Sequence, residues 1–379
     1  MDVLVAMDSF KGSMTSDEAN AAVQLAIGAQ HKVTTYPIAD GGEGTVAAFV
    51  QLLDGETVTE TITGPDGSQI EGKYGWIQDE KLAIIEVAEG AGITKVKPET
   101  LNPYFHTSFG VGEQIKSALD KGAQEMIIGL GGSATVDGGV GLLQALGVKF
   151  LDQNGAELDL LPIQLNQIKS IDKSQLDPRL YKVKITIASD VSNPLLGEQG
   201  ATYIFGPQKG LASQTLAAYE QSLSQYAQLV NTITQTHCQD EPGAGAAGGI
   251  GFAFYSFFET RFQSGFSLLA ERGKLAEKIA KADLVITGEG KFDSQSLNGK
   301  VPIGISGLAQ SCHKPTIVFA GSVEEGLTAM PERNIMAIIP IIDQPMDLTQ
   351  AIKNGPQLLH QAAKRTMLLI MCGISLNTH

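Results

Sequence analysis

The chain has 379 residues, 43% of them hydrophobic and 18% charged. That is long for one hydrophobic core and predicts two domains. The formal net charge of −14 argues against a broad surface for nucleic acid or anionic membrane, although a local group of lysines and backbone N–H groups can still hold a small anion.

In chain order, VLVAM (3–7) reads as a buried strand, and Thr15 with Glu18 forms a capping-box pattern ahead of a helix that runs to about residue 29. A strand over 33–38 and a helix over 43–53 complete a β-α-β-α start, which predicts parallel strands. The runs 57–63, 69–76 and 81–87 then follow without helices between them, and GPDG (64–67) is a turn signal. This predicts a mixed or antiparallel sheet in a different domain. A helix near 108–121, a strand at 126–130, a helix from about 138, strands at 182–189 and 201–205, and a polar helix over 211–232 continue it. From about 270 the alternation returns, with a helix at 273–280, a strand at 283–287, a helix at 302–311, strands at 316–320 and 336–342, and helices to 370. The expected fold class is α/β. One Rossmann-like parallel sheet is built from both chain ends (1–60 and 270–379), and an α/β domain with a mixed sheet (61–269) is inserted into it.

Three cysteines (Cys238, Cys312, Cys372) without a CxxC pair point away from disulfides and zinc and toward a reducing compartment. The start MDVLVAMDSFK lacks the pattern of a signal peptide, and the late apolar run 367–374 is too short to span a bilayer. A soluble cytoplasmic protein is expected, without nucleic-acid or membrane partners.

The glycines cluster in DSFKGS (8–13), DGGEGT (40–45), GLGGSATVDGGVG (129–141), PGAGAAGGIG (242–251) and TGEGKFDSQSLNGK (287–300). Paired glycines let backbone N–H groups approach a ligand, and a helix starting at once after them favours an anion. GLGGSATVDGG lies between a strand and a helix, the arrangement of a phosphate cradle, with Ser133 and Thr135 as added hydroxyls. No GxxxxGK[ST] loop is present. Gly243, Gly245 and Gly248 form a literal GxGxxG, but the stretch before it reads as amphipathic helix rather than the strand a dinucleotide fingerprint needs. Asp8, Lys11, Asp40, Glu43, Asp190, Glu289, Lys291 and Asp293 all follow predicted strands. In open α/β sheets that is where the ligand crevice lies, and carboxylates there can hold Mg²⁺ or take a proton while lysines neutralise phosphate. The pattern reads as phosphoryl transfer, which asks a protein for positioning and charge more than for covalent chemistry.

The segments DSFKGSMTS, ADGGEGT, GLGGSATVDGG, ASDVSNPLLGEQGATYIFGPQKG, PGAGAAGGIG and VITGEGKFDSQSLNGKVPIG, spread in order from residue 8 to 304, resemble the bacterial glycerate kinase family. The resemblance implies ATP- and Mg²⁺-dependent phosphorylation of D-glycerate to 2-phosphoglycerate, on a fold of two α/β domains with the active site in the cleft between them. Asp190 and Asp293 are the expected catalytic carboxylates and metal ligands, with Lys11 and Lys291 as cations. Asp8, Ser9, Asp40, Gly41, Gly42 and Glu43 are expected to bind substrate. Gly131, Gly132, Ser133, Thr135, Gly245 and Gly248 are expected to bind nucleotide. The chain departs from the family pattern in Met7 for Pro, Phe109 and Val111 for Arg and Thr, and Val136 for Asn. Phosphorylation of the 3-hydroxyl, an NAD-dependent dehydrogenase and a non-catalytic acid-binding protein are the competing readings. A homodimer is left open.

Overall fold

The computed structural model describes residues 1–294, 296–298 and 301–377, so Gln295, Gly299 and Lys300 of the glycine- and lysine-rich stretch lie outside the described residues. The described strands are β1 Asp2–Met7, β2 Lys32–Thr35, β3 Glu56–Thr63, β4 Gln69–Ile77, β5 Leu82–Glu86, β6 Glu125–Gly129, β7 Lys149–Leu151, β8 Ser170–Asp172, β9 Lys184–Ala188, β10 Thr260–Gln263, β11 Leu284–Phe292, β12 Thr316–Val323 and β13 Ile335–Pro340. The chain divides into two units, Met1–Ala39 with Phe266–His379, and Asp40–Gly265.

In the first unit the sheet order is β13-β12-β11-β1-β2, and every pairing is parallel. Connections run one way from β1 to β2 and the other way from β11 to β13, so the topological switch point lies between β1 and β11. Val3, Val5 and Met7 pack with Ile286 and Phe319 against Ala19 and Val23 of the helix Ser16–Ile27 and Leu359 and Ala363 of the helix Gly355–Asn377. The expected capping box is present. Glu18 N–H donates to Thr15 Oγ1 (3.2 Å) and Thr15 N–H to the Glu18 carboxylate (2.8 Å). Two polar side chains of the same helix fix the ends of β1 and β2. The Asn20 carbonyl oxygen accepts from Met7 N–H (2.9 Å) and its amide donates to Tyr36 O (3.0 Å). Ser16 donates to Met7 O (2.7 Å) and accepts from Ile38 N–H (2.9 Å).

In the second unit the order is β10-β9-β6-β5-β4-β3. The strands from β10 to β5 are parallel, and β4 and β3 run antiparallel at the edge. A small antiparallel pair, β7-β8, stands apart. The core is built from Ile85, Ile128 and Ile187 of the sheet with Val111, Leu142, Tyr226 and Phe252 of the helices Phe109–Lys121, Val140–Ala145, Leu216–Thr234 and Ile250–Phe257.

Three expectations are corrected. Residues Ala201–Phe205 form a helix rather than a strand. A five-residue apolar run does not distinguish the two by periodicity, and here Ala201 and Thr202 are buried on one side. The strand expected at 283–287 continues to Phe292, because β12 pairs with it as far as Phe292 opposite Val323 and Phe292 is fully buried. The division falls at residue 39 and at 265 rather than at 60 and 269. The helix Thr45–Leu52 packs in the second unit, where Val46 N–H donates to Glu86 (2.6 Å). No described helix is long and apolar enough to cross a membrane, and the three cysteines are free.

Replacing Asn20 by Ala should strand the buried Met7 N–H and Tyr36 C=O groups. The expected loss is roughly 2–4 kcal/mol of stability, read from urea unfolding with an unchanged m-value.

Candidate functional site

In the first unit, the ends of β1 and β11 bring several expected residues together. Asp8 N–H donates to Gly288 O (2.9 Å), so the loop carrying Asp8, Ser9 and Lys11 starts beside β11. Gly290 faces the backbone of Phe10 and Lys11, with ideal Cβ positions 3.5 and 3.6 Å from them. Lys11 is exposed, while Asp8 and Ser9 are half-buried. Lys291 Nζ lies 2.9 Å from an Asp293 oxygen, and this hydrogen bond raises the Lys291 pKa. The other Asp293 oxygen accepts from Ser296 N–H (3.3 Å), and Asp293 is 8% exposed. Asp293 therefore ties the turn after β11 as well as meeting a lysine.

In the second unit, the carboxyl ends of the four parallel strands carry a second group. Gly41 has φ 91°, and a Cβ there would stand 2.6 Å from Ala188 O at the end of β9. A Cβ on Gly129 would strike Gly41 O, and one on Gly131 would strike Gly42 Cα. The Asp40–Gly42 turn thus lies directly on the ends of β6 and β9. Asp40 Oδ1 accepts from Gly42 N–H (3.0 Å). Asp190, just past β9, is open at the surface. Partial burial of its carboxyl raises its pKa above the ordinary carboxylate value, and the charge of Asp40 acts in the same direction. Hydrogen bonds from the Ser264 side chain and Gly265 N–H pull the other way. Asp40 and Asp190 form an electrostatically coupled pair at this edge.

Between them runs the loop Leu130–Asp137. Its Gly132 O accepts from Ile93 N–H (2.7 Å), and Ala134 N–H donates to Ala91 O (2.8 Å). The N–H groups of Gly131, Gly132 and Ser133 donate to no acceptor among the described residues. Three successive amides without an acceptor among the described residues can hold an anion. Ser133 and Thr135 are both buried. Thr135 Oγ1 accepts from Asp137 N–H (3.0 Å), so Thr135 shapes the loop from behind. Ser133 Oγ meets Lys209 Nζ at 2.8 Å.

The two helix starts that follow the Asp-Gly-Gly turns at 40–42 and 137–139 are occupied from within the chain. Each is filled by a carboxylate of the protein. Glu86 takes Val46 N–H at the start of the helix Thr45–Leu52. Asp137 takes Gly139 N–H (3.0 Å) and Gly141 N–H (3.2 Å), together with the backbone and hydroxyl of Ser108 (2.9 and 2.7 Å). Glu43 is exposed and raises the Glu86 pKa by its charge rather than lining the turn. Gly245 and Gly248 approach the chain itself. A Cβ on either would strike Pro194 O or Thr135 O respectively, and Gly138 N–H donates to Gly248 O (3.0 Å). The run before Gly243 is the helix Leu216–Thr234 followed by a loop, so the strand required by the dehydrogenase reading is absent there.

Glu86 and Lys209 were not singled out from sequence. Glu86 could have been found as a carboxylate ending the apolar run LAIIE, and Lys209 as the cation inside the quoted IFGPQKG. Mg²⁺ characteristically takes one or two carboxylates and completes its octahedron with phosphate oxygens and water. No group of three or more His, Cys, Asp or Glu side chains is gathered for a metal among the described residues. Asp40 and Asp190, whose charges interact at this edge, are the carboxylates that could supply one or two such ligands.

The profile described as the glycerate kinase family matches residues 3–371. A glycerate kinase of Haemophilus influenzae is 41% identical over 367 residues, covering 96% of this chain and 97% of that protein. A glycerate 2-kinase of Escherichia coli K12 is 38% identical over 377 residues, covering 99% of each. A crystal structure of a provisionally named glycerate kinase 2 from Salmonella typhimurium LT2 matches with a TM-score of 0.85 at 38% identity, covering 99% of each chain.

Burial pushes the Glu86 carboxyl up from 4.5 to about 7, against the opposing hydrogen bond from Val46 N–H. In the unfolded chain it ionises near the lower value, so stability falls as pH rises from about 4.5 to 7 and is level above that. Glu86→Gln should keep the acceptor for Val46 and flatten this slope. The expected gain over wild type at pH 8 is of the order of 3 kcal/mol, measured by denaturant unfolding at pH 4.5 and pH 8.

Proposed function

The chain belongs to the glycerate kinase family, and we propose that it transfers the terminal phosphoryl group of ATP to the 2-hydroxyl of D-glycerate, with Mg²⁺ bound. The observation that carries this reading is the meeting of three free backbone N–H groups, Gly131 to Ser133, with the Asp40–Asp190 pair at one sheet edge.

In this reading the amides of Gly131, Gly132 and Ser133 take phosphate oxygens. They stand preformed, so they stabilise charge without reorganising during the transfer. Asp40 would hold Mg²⁺, which supplies charge neutralisation to the phosphates and leaves Asp190 to take the proton. Asp190 is the better base of the two expected carboxylates. It is open, its pKa is raised, and its like-charged neighbour favours accepting a proton. Asp293 already carries Lys291 and a backbone N–H. Lys291 and Lys11 are proposed cations for phosphate or the glycerate carboxylate, as Phe109 supplies no charge where the family pattern has Arg. Asp8, Ser9 and the Gly41–Gly42 pair remain proposed substrate contacts.

A coupled assay for ADP release on adding D-glycerate tests the activity, and ³¹P NMR of the product separates 2- from 3-phosphoglycerate. Release of ADP that does not depend on glycerate would sink the substrate assignment. Asp190→Asn should lower kcat by about 10²–10⁴-fold. Wild-type activity should fall on the acid side as Asp190 takes up a proton, and Asp190→Asn should remove that limb from the residual activity. If Asp293→Asn shows the larger loss and Asp190→Asn almost none, the role of base passes to Asp293.

A further inference from the structure

We propose that Lys209 is a positioning residue for nucleotide binding: by donating to Ser133 Oγ it turns the Ser133 hydroxyl hydrogen toward the bound phosphate, as a fourth donor beside the three loop amides. This rests on the kinase reading above.

Lys209 ends the short turn Pro207–Lys209 and is 3% exposed. Its Nζ donates to Ser133 Oγ (2.8 Å) and to Thr135 O (2.8 Å). Both acceptors belong to the loop whose Gly131, Gly132 and Ser133 amides are free. The two bonds grip that loop on either side of Ala134. A lysine so deeply buried is costly unless its hydrogens are used and a counter-charge stands near. Burial pushes the Lys209 pKa down from 10.5 to about 7, against the opposing charge of Asp137, which supplies the counter-charge. Both protonation states of the amine keep the two hydrogens these bonds use.

The consequence concerns Ser133. A hydroxyl has one hydrogen to give. Once its oxygen receives Lys209, that hydrogen needs another acceptor, and Ser133 donates to none among the described residues. Its side chain is buried, at 5% exposure, and its own backbone N–H is one of the three amides without an acceptor among the described residues. A lysine serving only as a tether could have been satisfied by loop carbonyls alone. Taking a hydroxyl as well leaves a polar hydrogen oriented next to an anion seat.

The test uses the full chain with Lys209→Met, Ser133→Ala and the double variant. Steady-state KM for ATP, KM for D-glycerate and kcat are measured for each, with thermal unfolding as a check on folding. Each single change should raise the KM for ATP roughly tenfold, the cost of one buried hydrogen bond to a charged group, with the glycerate KM held within about twofold. The double variant should be no worse than the weaker single one, because both remove the same donor. Equal rises in both KM values, an unchanged ATP KM in Ser133→Ala, or a double variant near the product of the two singles would each overturn the proposal. Should Lys209→Met fail to fold, Ser133→Ala alone decides by its ATP KM. ATP affinity by calorimetry separates this proposal from the substrate assignment. A wild type inactive on glycerate, whose ATP affinity still drops in both variants, would end the glycerate reading and leave the role of Lys209 standing.

Discussion

Backbone packed on backbone is the constraint on which the candidate site depends. At the carboxyl edge of the second sheet, the Asp40–Gly42 turn lies against Gly129, Gly131 and Ala188 with no room for a side chain between them. A methyl group at Gly129 or Gly131 would strike the turn's own main chain. The price of that contact is glycine, which costs conformational entropy wherever it is ordered. Its effect is to bring a turn from before the first edge strand onto the ends of β6 and β9. Asp40 then reaches Asp190 electrostatically, and the Gly131–Ser133 amides open beside the same turn.

The helix starts that follow the Asp-Gly-Gly turns at 40–42 and 137–139 are closed to a ligand anion by the protein's own carboxylates. A helix N-terminus attracts negative charge by about 0.3–1 kcal/mol at a surface, more where it is buried. Asp137 supplies that charge from within the chain, at 0% exposure, and Glu86, at 4%, supplies an acceptor for Val46 N–H while burial disfavours its ionised form. A tethered carboxylate outcompetes a free anion because its ordering entropy is already spent in folding. The helix dipoles therefore stabilise the scaffold. Asp137 also supports Lys209, and Lys209 grips the loop whose amides remain unused.

Much of this was legible from local pattern. Alternation of apolar runs with capped helices identified the parallel sheet from both chain ends, because buried parallel strands need short apolar segments and crossover helices. Thr15 and Glu18 mark a helix start through their own hydrogen bonds, so their spacing sufficed. Clusters such as DGG and GLGG declared close approach, yet what is approached is set by tertiary packing. For Gly245 and Gly248 it is Pro194 and Thr135 of the same chain. Glu86 and Lys209 escaped notice because each lies about 40 or more residues from its partner, Val46 for one and Ser133 for the other. Ala201–Phe205 has strand-like composition and is a helix, since five residues carry too little periodicity to choose.

Asp190 and Asp293 look alike in sequence, each a carboxylate soon after a buried strand. Their surroundings separate them. Asp293 meets an ammonium at 2.9 Å and a backbone N–H at 3.3 Å, so its charge is already balanced and a proton or a cation gains less there. Asp190 faces another carboxylate and has its ionised form disfavoured by burial. Such a pair is the natural receiver of positive charge, whether a divalent ion or the proton of a substrate hydroxyl. The difference is one of net effect: at Asp190 burial and the Asp40 charge outweigh the hydrogen bonds from Ser264 and Gly265, whereas Asp293 has a lysine beside it. The same argument gives Lys291 and Asp293 a different use. Together they place an ion pair at the end of β11, with the Asp293 carboxylate also accepting from Ser296 N–H.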